Sequence, residues 1–158
     1  MDSDLDQDVA IFWTMLLGLI TDAEKRLATH LAQHNLTPPQ FFVLRTLSEH
    51  GGRCPIGQIA REHHLTSATM TGLIKRLEAM QPPLVAREQS ATDRRSVDVV
   101  FTPAGEKHFD AIQDNLLAQL RVVLSLLTPE ERQEILQKIG QYIQLVLQQF
   151  PVGNSQPG

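Results

Sequence analysis

The chain has 158 residues and a formal net charge of -4 at pH 7, with 42% hydrophobic residues and one cysteine, Cys54. This length suits one domain of the usual size, roughly 100 to 200 residues. A single cysteine excludes an internal disulfide and fits a reducing compartment. The apolar run at 9–20 is shorter than the about 20 residues that span a bilayer, and no basic segment precedes it. We therefore expect a cytoplasmic protein without a membrane partner.

Six helices are predicted from apolar spacing and from their starts. Thr37-Pro38-Pro39-Gln40 and Thr128-Pro129-Glu130-Glu131 place threonine at the N-cap, proline at the first helical position and Gln or Glu at N3. The cap and N3 side chains can then satisfy free amides reciprocally. Thr102-Pro103 repeats the cap and the proline. The predicted helices cover 6–33, 38–49, 55–63, 66–80, 103–126 and 129–149, with a turn at Gly51-Gly52 and a disordered tail at 151–158.

The first, fifth and sixth predicted helices have apolar faces wider than a small globular lobe needs. The sixth, for example, repeats Ile135, Ile139, Ile143 and Val146 at helical spacing. Either these faces fold back on the chain's own core or a second copy covers them.

The fourth predicted helix has one apolar side and one small, polar side. Met70, Leu73, Ile74 and Leu77 follow the i, i+3, i+4, i+7 pattern of a helix that buries one face. The other side carries these residues: Ser67, Ala68, Thr69, Thr71, Gly72, Lys75 and Arg76. Small side chains allow close approach to bases, and Lys and Arg reach guanine edges or phosphates, so this side suits a DNA major groove. An ordinary solvated surface helix is the alternative.

A basic hairpin follows that helix. Strand-like runs at 84–88 and 97–101 flank QSATDRR, which is rich in turn-forming residues. The loop should project Arg94 and Arg95. Asp93 should accept hydrogen bonds from backbone amides of the turn and from the Arg95 guanidinium. Seven Lys or Arg but only four Asp or Glu lie between Arg53 and Arg95. A basic face on an acidic chain makes DNA a better partner than the net charge suggests.

Three segments in order resemble the MarR family of transcriptional regulators. They are LTPPQFFVLRTL at 36–47, IGQIAREHHLTSATMTGLIKRLE at 56–78 and DRRSVDVVFTPAG at 93–105. Gln81-Pro82-Pro83 replaces the glycine that usually closes the recognition helix in this family, so the link to the first wing strand is longer and stiffer.

The resemblance implies a mainly α (α+β) fold, a winged helix-turn-helix with long terminal dimerisation helices. The single domain would hold a DNA-binding lobe at 36–102 and dimerisation helices at 6–33 and 103–150. A homodimer would present two recognition helices to a pseudo-palindromic operator in double-stranded DNA. Base readers would be Ser67, Ala68, Thr69, Thr71, Gly72 and Lys75; phosphate contacts would be Arg76, Arg87 and Arg94; Arg95, supported by Asp93, would enter the minor groove.

The resemblance also implies a small-molecule effector pocket where the first, second and fifth helices meet the lobe. Phe12, Trp13, Phe41 and Arg45 are its candidate lining residues. Aromatic residues at helical spacing are more often core, so this prediction competes with a plain packing role. The function predicted is a repressor that a small aromatic or lipophilic ligand releases from DNA.

Histidines and the single cysteine suggest other functions. His30 and His34 at i, i+4 could share a metal, with Glu24, His63, His64 and His108 as further ligands, but no full ligand set matches. Cys54 occupies a position where the family has an apolar residue, which favours a buried, inert thiol over a redox sensor. A metal- or redox-responsive regulator on the same scaffold and a winged-helix protein-interaction module remain the alternatives.

An enzyme is not expected. The chain has no glycine-rich phosphate loop, nucleophile elbow or carboxylate pair assigned to a pocket. No cofactor and no metal are predicted.

Overall fold

The computed structural model describes residues 3–151. Most of the predicted tail therefore lies outside the described residues. The chain divides into two compact units, 1–113 and 114–158, with the division inside one long helix. None of the helices described is long and apolar enough to cross a membrane.

All six predicted helices are present, with ends shifted by up to three residues. Their bounds are α1 Ser3–Ala32, α2 Pro38–Glu49, α3 Ile56–Glu62, α4 Ser67–Glu78, α5 Pro103–Ser125 and α6 Pro129–Gln149. The turn at Gly51-Gly52 is confirmed, and both glycines have positive φ, +70° and +90°, which explains why glycine is needed there.

The predicted helix starts act as caps. The Thr37 N–H donates to Gln40 Oε1 at 2.9 Å. Thr128 and Glu131 form a full capping box, in which the Thr128 N–H donates to Glu131 Oε2 and the Glu131 N–H to Thr128 Oγ1. Hydrogen bonding of the Glu131 carboxylate to the backbone N–H of Thr128, and then to the Thr128 side chain, lowers the pKa of this carboxyl.

The sheet has three antiparallel strands in the order β1-β3-β2: β1 Arg53–Pro55, β2 Val85–Gln89 and β3 Val97–Phe101. The hairpin of β2 and β3 confirms the predicted wing, which we define as residues 85–101. Strand β1 was not predicted, because three residues ending in proline give no readable alternation. It pairs with the wing over three positions, from Arg53 opposite Val100 to Pro55 opposite Asp98.

The core of the first unit joins α2, α3, α4 and the sheet with the end of α1 and the start of α5. Its fully buried side chains include Leu31, Val43, Leu44, Leu47, Ile59, Met70, Ile74, Leu77, Val99, Phe109 and Ile112. The apolar stripe predicted for α4 is therefore confirmed, since Met70, Leu73, Ile74 and Leu77 are all buried. This leaves the opposite side of α4 facing outward.

A group of hydrogen bonds around Thr102 attaches the start of α5 to the segment that follows α4. Thr102 Oγ1 donates to the Pro83 carbonyl at 2.5 Å and accepts the Gly105 N–H at 3.0 Å. The Thr102 N–H donates to the Leu84 carbonyl at 3.1 Å. A Cβ on Gly105 would lie 1.8 Å from that carbonyl oxygen, so only glycine fits.

The second unit contains the rest of α5 and all of α6. Helix α6 has no buried residue. Arg132 ties its first turn to the preceding loop by donating from Nη1 to the Leu127 carbonyl at 2.9 Å. Large apolar side chains of this unit are instead exposed, among them Leu120, Leu136, Ile139, Ile143 and Leu147.

Candidate nucleic-acid interface

The outward side of α4 begins at a threonine cap. Thr66 Oγ1 accepts the Thr69 N–H at 3.2 Å and also lies 2.9 Å from Thr69 Oγ1. Sequence reasoning missed Thr66 as the cap. Ser67, Ala68 and Thr69 are exposed, as a base-reading role requires, although the Thr69 hydroxyl is already engaged with the cap.

Gly72 lies in the middle of this side, and no contact within residues 3–151 accounts for a glycine there. Its φ is not positive, and a Cβ added there would meet no atom within 4 Å. Gly in a helix interior costs about 1 kcal/mol relative to Ala. A glycine that costs stability without an internal reason fits a place where an outside molecule approaches the backbone. Neighbouring Thr71 is half-buried.

The cations of the interface fall into two groups. Lys75, Arg76, Arg94 and Arg95 are exposed, and none has an ion pair among residues 3–151. Arg87 differs, because its Nε lies 3.0 Å from Glu78 Oε1 at the end of α4. The predicted phosphate contact of Arg87 would therefore compete with Glu78, a residue that sequence reasoning missed because the pair joins two separate elements.

The wing tip is shaped by its own side chains. The Arg95 N–H donates to Asp93 Oδ1 at 2.9 Å, and the Ser96 N–H to the Asp93 carbonyl at 3.0 Å. Asp93 thus accepts a backbone amide as expected. The expected pairing with the Arg95 guanidinium is not among the ion pairs of the described chain. The backbone of Arg94 is also held in place, because its carbonyl accepts a hydrogen bond from Gln89 Nε2 at 2.9 Å.

An open cleft of about 440 Å³ lies between the end of α4 and the wing. Its lining residues are Glu78, Arg87, Glu88, Gln89, Arg94, Ser96 and Val97. Glu78 is paired with Arg87, and Glu88 is paired with Arg53. Arg94 is therefore the cation of this cleft that is left to meet an anion such as a phosphate.

The four candidate effector residues lie in different settings. Phe41 is 7% exposed and stacks on Phe109 at 5.6 Å between ring centroids, which is a core arrangement. Phe12 and Trp13 are 47% and 58% exposed on α1. Arg45 is exposed and pairs with Glu49 one turn along α2. The pocket stays a prediction.

The histidines and the cysteine do not form a metal centre within residues 3–151, where no group of three potential ligands has suitable geometry. His30, His34 and His108 nevertheless cluster, with ring centroids 5.1 Å and 5.6 Å apart. Burial, and then the charges of the other two, lower the pKa of His34. Cys54 is 1% exposed, and burial raises the pKa of its thiol to about 11. The expectation of a buried thiol is confirmed.

The structure combines three features: a small three-stranded sheet, a helix whose polar side is uncovered, and a cationic hairpin. Together they define a winged-helix DNA-binding protein. Comparison with known proteins agrees: residues 36–97 match the model of the MarR family. The regulator MhqR of Bacillus subtilis is 32% identical over 70% of this chain and 77% of its own length. The regulator YfiV of the same organism is 31% identical over 78% and 75%.

Solved structures support the same assignment. YusO from Bacillus subtilis superposes with a TM-score of 0.72 at 27% identity, covering 88% of this chain and 96% of that one. A MarR family protein from Bacillus stearothermophilus reaches 0.74 at 25% identity over 88% and 97%. The chain belongs to the MarR family. It is a transcriptional regulator that binds DNA, and it is not an enzyme.

Proposed function

We propose that the protein is a repressor that binds a pseudo-palindromic operator as a homodimer and is released by a small aromatic or lipophilic ligand. The observation that supports DNA binding is that the cations fall into a paired group and an unpaired group. Those at the base of the wing are paired with carboxylates, whereas those on α4 and at the wing tip are exposed and unpaired within the described chain.

We propose one role for each predicted contact, in which Arg87 exchanges its partner Glu78 for a phosphate. Ser67, Ala68, Thr69, Thr71, Gly72 and Lys75 read or approach bases in the major groove; Arg76, Arg87 and Arg94 hold phosphates; Arg95, oriented by Asp93, enters the minor groove. Lys75 and Arg76 extend from the same helix that carries the small residues, so their charges follow the groove edge.

The homodimer rests on the apolar surface of the terminal helices. Leu136, Ile139, Ile143 and Leu147 on α6 are each at least half exposed. Contiguous apolar patches of this kind are rare on monomers and mark interfaces. A second copy would bury these helices and supply the second recognition helix that a palindromic site needs. The domain plan is then a DNA-binding lobe at 36–102 and dimerisation helices at 6–33 and 103–150.

Repression and ligand release have narrower support. The relative MdtR of Bacillus subtilis, 29% identical over 80% of this chain, is named a transcriptional repressor. The exposed rings of Phe12 and Trp13 provide apolar surface that a flat ligand would cover. Phe41 and Arg45 complete the proposed lining.

The experiment is a binding titration against an operator library derived from the DNA beside the protein's own gene, at several salt concentrations. Arg95→Ala should weaken binding by roughly 1 to 3 kcal/mol and flatten the preference at flanking positions. Arg94→Ala should weaken all sequences alike and lower the salt slope by about one unit. Thr69→Ala should shift preference only within the half-site.

The outcomes separate the competing functions. Absence of salt-dependent DNA binding would leave the protein-interaction module as the better account. Release from DNA by a divalent metal or an oxidant, with no response to aromatic ligands, would favour the metal- or redox-responsive alternative. Trp13 fluorescence quenching by a ligand that also releases DNA would support the proposal.

A further inference from the structure

Arg53 connects all three strands of the sheet through its side chain. It lies on β1, and its Nη1 is 3.1 Å from Asp98 Oδ2 on β3. Its Nη2 pairs with Glu88 on β2. Glu88 and Asp98 are direct cross-strand partners, and Pro55, two residues from Arg53, lies opposite Asp98. The three side chains therefore share one face of the sheet.

This contact lies where the sheet changes from three strands to two. Strand β1 ends at Pro55, opposite Asp98, so residues 89–97 continue as a hairpin without a third strand. Two-stranded ribbons twist and bend more readily than wider sheets. The orientation of the tip is thus determined at the Glu88–Asp98 pair, and Arg94 and Arg95 lie beyond it.

Burial makes the contact more than an ordinary surface ion pair. Asp98 is only 6% exposed, and its Oδ1 has no hydrogen-bond partner within the described chain. A buried carboxylate with one unsatisfied oxygen depends strongly on its remaining cation. Asp98 therefore holds the guanidinium in place, and the guanidinium in turn holds Glu88. Exposed pairs such as Arg26–Asp22 connect residues of one helix and have no such role.

We propose that Arg53 is a positioning residue that fixes the wing to β1 and so sets the angle at which Arg94 and Arg95 meet DNA, without touching DNA itself. The proposal rests on the proposed function for the use of the wing. Its consequence is that Arg53 controls how strongly the protein distinguishes A·T-rich from G·C-rich operator flanks.

The first measurement needs no DNA. Hydrogen exchange of residues 89–97 is compared in the wild type, Arg53→Gln, Arg53→Lys and the control Arg26→Gln, which removes the same charge from an exposed pair on α1. Exchange at 89–97 should quicken in Arg53→Gln while α2 and α4 keep their protection. Arg53→Lys, which keeps one ion pair, should lie between the two, and Arg26→Gln should match the wild type.

The second measurement is a binding titration on operators that differ only in their flanks. Arg53→Gln should reduce the preference for A·T-rich flanks by roughly threefold to tenfold, part of what loss of Arg95 would cause. The salt slope should not change, because no phosphate contact is lost. If Arg53→Gln loses its fold around the buried Asp98, the double variant Arg53→Gln/Asp98→Asn removes that charge and should give the same two results.

The results decide between this proposal and the others. A salt slope lower by about one unit would show that Arg53 contacts a phosphate and would overturn the positioning role. Lower thermal stability with unchanged exchange at 89–97 and unchanged flank preference would reduce Arg53 to a structural residue. A wild type that does not bind DNA would instead refute the proposed function, while the exchange measurement still tests whether Arg53 holds the wing.

Discussion

Gly72 carries a cost in stability that the proposed DNA contact would explain. Because a Cβ at Gly72 meets open space, Gly72→Ala should raise the free energy of unfolding by about 1 kcal/mol through helix propensity. The same methyl group should weaken operator binding, since in the proposed complex it would stand between α4 and the bases. Urea denaturation and a DNA titration measure the two effects.

Gly57→Ala is the matched control for Gly72. It also adds a methyl group inside a helix, on α3, where the nearest atom, Arg61 Nη1, is at an ordinary 3.6 Å. Its affinity for DNA should equal that of the wild type. If Gly72→Ala binds as tightly as this control, the close approach of DNA to α4 is excluded.

The buried thiol of Cys54 should react slowly in the folded protein. Burial raises its thiol pKa to about 11, so the thiolate is scarce at neutral pH. We expect the folded protein to react with a thiol reagent at pH 7 far more slowly than the urea-unfolded chain, and Cys54→Ser to keep its response to oxidants. Rapid labelling without urea, or an oxidant response that the serine variant loses, would restore the redox alternative.

The residue types at the interface were readable from sequence, but their pairing was not. Helical spacing places Lys75 and Arg76 on the side of α4 opposite Met70. This placement depends only on local periodicity, so it can be predicted from the sequence. The partner of Arg87 is Glu78, nine positions away and on another element. That contact depends on how the hairpin packs against α4, and no local pattern encodes it.

The junction of α4, the wing and α5 depends on the absence of a side chain at Gly105. Gly105→Ala would place a methyl carbon 1.8 Å from the Leu84 carbonyl oxygen, which is backbone and cannot move aside cheaply. We expect destabilisation of about 3 kcal/mol, at the upper end of overpacking effects. Urea denaturation measures it. An unchanged midpoint would mean that α5 can start elsewhere.

We expect the histidine cluster between the end of α1 and the start of α5 to make stability depend on pH. The folded pKa of His34 is below its ordinary 6.5, so the unfolded chain binds more protons there. Stability should therefore fall as pH drops below about 6.5 and continue to fall until the folded pKa is passed. His34→Gln should lose less stability between pH 7.5 and 5 than the wild type.

His64→Asn is the control for that series, because His64 is exposed and its φ of 51° is one that asparagine tolerates. Its pH profile should follow the wild type. Equal slopes for His34→Gln and the wild type would assign the acid sensitivity between pH 7.5 and 5 to other groups, although not to Glu62. Hydrogen bonds from Gln58 and His50 lower the pKa of Glu62, so its stabilisation is lost only as pH falls through that lowered value.

A helix or strand could be predicted from the sequence when its signal comes from neighbouring residues. Helices α2 and α6 were readable from Thr-Pro starts and N3 partners, which act within one turn. Strand β1 was not, because Arg53–Pro55 becomes a strand only by pairing with Val100, Val99 and Asp98, more than forty positions later. The three-stranded base of the wing is a tertiary feature.

For the whole molecule, assembly and DNA binding should be lost together. Removing residues 129–158 deletes α6. This helix has exposed apolar side chains and no buried residue. We expect the shortened chain to lose both dimerisation and operator binding, measured by sedimentation and by titration. A folded, monomeric and operator-competent product would contradict the dimer. The sequence indicates this excess of apolar surface, but a single chain does not contain the partner that is proposed to cover it.

The bonds around Leu84 also fix distances along the chain. Its N–H donates to the Leu77 carbonyl at 3.1 Å and its own carbonyl accepts from the Thr102 N–H at 3.1 Å, so a residue inserted at 79–83 would disturb the bond between Leu84 and Leu77. The hydrogen bonds of the wing tip, by contrast, stay within residues 89–96 of the described chain. The tip can therefore be lengthened without disturbing the helices. Each residue added to both wing strands extends its reach by about 3.4 Å, a spacing that matches one base-pair step of duplex DNA.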